Sequence, residues 1–95
     1  MFVYDIYRSA STKVMGLYYG EIGYTDGKYP ETKGENPAEI LNGITLELEP
    51  YALSGDNMSA EKLDELIDAY SAFQEAFDVD LEDEIIGLIR LRAQI

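Results

Sequence analysis

The sequence predicts an α+β domain, in which a small antiparallel sheet of about three strands packs against one long amphipathic helix, 60–77, and a second C-terminal helix. Three observations predict it. Residues 2–8 and 14–24 are rich in β-branched and aromatic types. Ile44 to Leu48 alternates apolar with polar residues, as a half-buried strand does. From Ser59 to Phe77 the apolar residues recur at three- and four-residue steps. The chain has 95 residues, 46% of them hydrophobic. It reads as a single domain, 1–95, because separate cores arise only at about two to three times this length.

In residues 2–8 a period of two places Phe2, Tyr4 and Ile6 on one face and Val3, Asp5 and Tyr7 on the other. Ser9 to Lys13 is a polar connector. The run Val14 to Tyr24 carries Leu17, Tyr18, Tyr19, Ile22 and Tyr24, interrupted by Gly16, Gly20 and Gly23, which suggests bulges. A hairpin of the two runs is the simplest arrangement. Thr25 to Asn36 is punctuation, with Asp26-Gly27, Pro30 and Gly34 all favouring turns. Asn36 and Pro37 fit an N-cap and first helical position, so Pro37 to Leu41 forms a short helix that Gly43 ends. Ile44, Leu46 and Leu48 then alternate with Thr45, Glu47 and Glu49 in a third strand, which Pro50 closes.

The helix over 60–77 has Ser59 as its N-cap and Glu61 in its first turn, with Leu63, Leu66, Ile67, Tyr70, Phe73 and Phe77 along its apolar stripe. The segment 81–94 carries two patterns. Ile89, Leu91, Ala93 and Ile95 alternate with polar residues as a strand would. Leu81, Ile85, Leu88 and Ile89 share a helical face, Asp80 can cap, and Arg90 and Arg92 sit where a helix dipole favours cations. The capping favours helix.

Composition excludes several classes of function. The chain has no cysteine and no histidine, so it has no disulfide, no thiolate metal site and no histidine general base. Ser9, Ser11 and Thr12 therefore belong to no hydrolase triad. Nineteen acids against seven bases give a net charge of −12, which argues against direct contact with nucleic acid or an anionic membrane. No apolar run approaches the roughly 20 residues of a membrane span, and no signal peptide is evident, so a cytoplasmic location is expected.

The charge is segregated. Residues 1–34 are neutral, while Glu35 to Ile89 hold fifteen acids and the single base Lys62. Self-repulsion of this size opposes the compact state, so a use for the charge is expected. Glu61, Asp64, Glu65, Asp68, Glu75, Asp78, Asp80, Glu82, Asp83 and Glu84 fall within 24 residues. Helical carboxylates at a rise of about 1.5 Å per residue can approach the charge density of duplex DNA, one per about 1.7 Å of axis.

Other chemistries fit less well. Asp78, Asp80 and Glu82 begin like a calcium loop, but the sixth position holds Asp83 instead of glycine and the twelfth holds Ile89 instead of glutamate. The glycines at 16, 20 and 23 form no phosphate-binding loop. Carboxylate pairs such as Glu47 with Glu49 lack the apolar cleft that acid–base chemistry requires. No enzyme activity, metal or cofactor is expected.

In size, charge and lack of cysteine the chain is similar to the small acidic proteins by which phages block nucleic-acid-binding defence enzymes. The similarity implies a non-enzymatic inhibitor of anti-CRISPR or anti-restriction type, acting in the bacterial cytosol as a nucleic-acid mimic. Its partner would be the basic surface of a nucleic-acid-binding protein. The partner-binding residues expected are Glu47, Glu49, Glu61, Asp64, Glu65, Asp68, Glu75, Asp78, Asp80, Glu82 and Asp83, with Tyr18 and Tyr19 as aromatic anchors. The competing expectation is an acidic protein–protein adaptor or homodimeric assembly module without mimicry.

Overall fold

A computed structural model describes residues 2–20 and 36–95 of the chain. They form five helices: α1 (Val3–Tyr18), α2 (Pro37–Leu46), α3 (Glu49–Ser54), α4 (Ala60–Phe77) and α5 (Glu82–Ala93). Among the described residues there is no strand, so the expected α+β fold with a three-stranded sheet is corrected to an all-helical one. Among the described residues no helix is long and apolar enough to cross a membrane.

The first expected strand and the start of the second are one helix. Ile6, Ala10, Val14 and Leu17 recur at steps of four, four and three, and all are buried. That stripe outweighs the local β preference of the tyrosines and valines, because burial against other elements overrides propensity. Of the supposed strand face Phe2, Tyr4 and Ile6, only Ile6 is buried. Gly16 lies buried inside α1 and marks no bulge, while Gly20 takes φ +73° just past the helix end, a position that favours glycine. The remainder of the second run, 21–24, and the turn expected over 25–35 lie outside the described residues.

Asn36 caps α2 as expected, its side chain accepting the Ala38 N–H at 2.9 Å with Pro37 at the first position. The helix continues through Gly43 to Leu46 and absorbs most of the expected strand 44–48. A helical face of Leu41, Thr45 and Leu48 is buried, and Leu46, which a strand would bury, is exposed. The Thr45 hydroxyl lies 3.0 Å from the Tyr70 hydroxyl in the core. Pro50 sits in the first turn of α3, and Gly55 in the left-handed conformation ends that helix.

The helix expected over 60–77 is present as α4, with Ser59 Oγ accepting the Lys62 N–H at 3.1 Å. Leu63, Leu66, Tyr70, Phe73 and Phe77 are buried and Ile67 is half-buried against the same core. The segment after 81 is helical as α5, and the Asp80 carboxylate accepts the Glu82 N–H at 3.0 Å.

In space α1, α2, α4 and α5 form a ring in that order, with α3 laid against α1 and α2. α1 and α4 sit diagonally across it and make no backbone contact. Arg92 meets Asp64 at one end of the α4–α5 pair and Gln74 meets Leu81 at the other, so these helices run antiparallel. α1 also runs antiparallel to α5, because Lys13 reaches Glu84 while Val3 and Leu91 line a common hollow.

Candidate functional site

The outward face of α4 carries the densest charge. Turning about 100° per residue, Glu61, Asp64, Glu65, Asp68 and Glu75 all fall within an arc of about 100°. All five are exposed, and Leu63, Leu66, Tyr70, Phe73 and Phe77 occupy the opposite side. The stripe runs about 21 Å along the axis, so its five carboxylates stand about 5 Å apart on average, with the widest gap, about 10 Å, between Asp68 and Glu75, against about 3.4 Å for the phosphates of a single DNA strand.

Two cations moderate it. Lys62 Nζ pairs with Glu47 across to the α2–α3 junction and lies 3.7 Å from Glu65. The hydrogen bond to Glu47 holds the Lys62 ammonium pKa above its ordinary value, against the opposing effect of partial burial. Arg92 Nε donates to Asp64 at 3.0 Å. Glu61 and Asp68 have no ion pair among the described residues. Glu47 thus borders the α4 stripe.

Glu49 does not. It accepts the Tyr7 hydroxyl at 2.9 Å between α3 and α1, and that carboxylate raises the Tyr7 phenol pKa above its ordinary value. Asp78, Asp80, Glu82 and Asp83 are exposed at the turn from α4 to α5. Two of them serve the chain itself, Asp80 by accepting the Glu82 N–H from just before α5, whose N-cap is Leu81, and Asp78 as the left-handed residue that ends α4. Glu84, part of the same acidic run, is buried. Its carboxylate takes Lys13 Nζ at 2.7 Å and the Ser9 hydroxyl. Spacing carried that signal, since Leu81, Glu84 and Leu88 lie on one helical face and all three are buried.

Tyr18 and Tyr19 are exposed at the C-terminal end of α1. They share an end of the molecule with the Asp78–Asp83 turn, because Lys13, one and a half turns earlier, donates to the Asp80 carbonyl at 2.7 Å. They are not on the α4 face. At the opposite end a hollow of about 440 Å³ lies among Val3, Met58, Leu63, Leu91 and Ile95, and among the described residues no charged side chain lines it. Among the described residues the densest exposed charge therefore lies along α4, with a second cluster of acids and tyrosines at one end of the ring. Comparison of the chain with protein families, curated proteins and solved structures gives no match.

Proposed function

We propose that the protein is a non-enzymatic binding protein that presents the carboxylates of α4 to the basic groove of a nucleic-acid-binding protein and competes there with nucleic acid. The observation that carries this reading is the single arc holding Glu61, Asp64, Glu65, Asp68 and Glu75. Acids kept only for solubility can scatter over a surface, whereas these lie in one row on the helix opposite its buried stripe, four of them in its first nine residues. Glu47 extends the row sideways, and the acids of the Asp78–Asp83 turn extend it lengthwise. The target is of the class that holds nucleic acid through arginine and lysine, such as a bacterial nuclease or interference complex, and the inhibitor is of the kind phages use against it.

The attraction is long-ranged, so the association rate falls steeply as salt screens the charges beyond a Debye length of about 8 Å at physiological ionic strength. Stopped-flow association with a purified bacterial nuclease that the protein inhibits is the test. Asp64→Lys, Glu65→Lys and Asp68→Lys together should abolish the salt-dependent association. An unchanged rate in that variant would refute the reading.

A further inference from the structure

We propose that the outward face of α1 is a homodimer interface, on which a second copy of this chain lies antiparallel about a two-fold axis near Ser11.

This face does not resemble the rest of the surface. Tyr4, Ser11 and Tyr18 are spaced one heptad apart, and Arg8 and Met15 each follow four residues after one of them. That is the spacing of a helix-pairing seam. Tyr4, Met15 and Tyr18 are each about half exposed, and Tyr19 beside them is 72% exposed. Three of the large exposed apolar side chains of the described chain thus sit on α1 and a fourth on its C-cap, while the helix's inward stripe is already buried.

Charge selects the occupant. The exposed charged side chains of α1 are Asp5 and Arg8, which cancel, and Lys13 is held by Glu84. A basic partner is drawn to α4, not to this neutral strip. Two chains of net charge −12 repel each other over most of their surfaces and meet at least electrostatic cost through α1.

The pattern is also self-complementary. An axis at Ser11 sets Tyr4 against Tyr18 of the second copy and Arg8 beside its Met15, with the small serine at the closest approach. α1 is about 24 Å long, and one helix pair of that length buries less than the roughly 800 Å² per partner of a standard interface. The dimer is therefore a weak, concentration-dependent one. Because α1 and α4 are diagonal in the ring, both carboxylate rows stay outside the contact. The proposal does not depend on what those rows bind.

Sedimentation equilibrium of the full chain from about 1 to 500 µM tests it, at low and high salt. The dimer fraction should rise with concentration and also with salt, which screens the repulsion, the opposite of the salt response expected for a basic partner. Met15→Glu and Tyr18→Glu, both at exposed positions, should each raise the dissociation constant at least about tenfold. Circular dichroism should report unchanged helix content in both. Asp64→Lys, Glu65→Lys and Asp68→Lys together should leave the dimer in place. A monomer throughout the range, a dimer undiminished in both α1 variants, or a dimer lost on reversing the α4 acids would overturn the proposal.

Discussion

Lys13 Nζ lies 2.7 Å from the carboxylate of Glu84, whose side chain is wholly shielded from solvent. The pair joins α1 to the start of α5, Ser9 completes the carboxylate's hydrogen bonding, and Lys13 also holds the Asp80 carbonyl. A buried ion pair is weak evidence of net stabilisation, but removing one partner strands the other charge. Lys13→Met should therefore destabilise the protein by about 3–5 kcal/mol in urea unfolding at neutral pH. Replacing both residues with apolar ones of similar volume should restore most of the loss. An equal cost for single and double variants would show that the pair is not the cause.

Asp78 ends α4 with φ 57°, a left-handed conformation in a residue that is not glycine. It also places a negative charge at the C-terminal end of a helix, where the dipole disfavours it. Both effects point the same way. Asp78→Gly should raise stability by about 0.5–1 kcal/mol, and Asp78→Val should lower it by more than that. Thermal unfolding of the two variants beside the wild type reads the difference.

Leu66 faces the shared core from the middle of α4 and is 1% exposed. Leu66→Ala should cost about 2–5 kcal/mol, the range for a core leucine that leaves a cavity. A cost below about 1 kcal/mol in denaturant unfolding would take α4 out of the core.

α4 was legible because its apolar stripe is long, made of large residues and opposed by acids, so no other register buries it. α1 was not, because Phe2, Val3, Tyr4, Ile6 and Tyr7 locally prefer extended backbone, and the stripe that decides the matter passes through Ala10, a small residue with little signal. Thr45 misled in a related way. As a polar residue between Ile44 and Leu46 it reads as a solvent-facing strand position, yet its hydroxyl is satisfied inside by Tyr70, a partner 25 residues away. The charge of the candidate site was readable, since helical spacing alone puts the α4 acids in one arc. The internal roles of Glu49 and Glu84 depend on Tyr7, Ser9 and Lys13 of α1, and a strand at 2–8 could not have placed those residues against them.

Burial pushes the Tyr70 phenol up to about 12, while its hydrogen bond with Thr45 pulls the other way. Tyr7 and Lys62 are also raised, through Glu49 and Glu47. All three bind their protons more tightly folded than unfolded, so each stabilises the fold fully below its unfolded value, about 10 for tyrosine and 10.4 for lysine. That stability is lost as pH rises through the folded values. Unfolding free energy should hence be flat near neutrality and fall from about pH 10 upward. In a spectrophotometric titration Tyr70 should ionise last, and Tyr70→Phe should remove that final step.

The row of carboxylates on α4 is the centre of the functional account, and competition with nucleic acid tests it most directly. The measurement is inhibition of a bacterial nuclease as a function of added duplex oligonucleotide, for the wild type and for the Asp64→Lys, Glu65→Lys, Asp68→Lys variant. The account predicts that the wild type inhibits, that rising oligonucleotide relieves the inhibition, and that the variant inhibits at least about tenfold less while keeping its helical spectrum. Equal inhibition by the two proteins, or inhibition that oligonucleotide does not relieve, would contradict it.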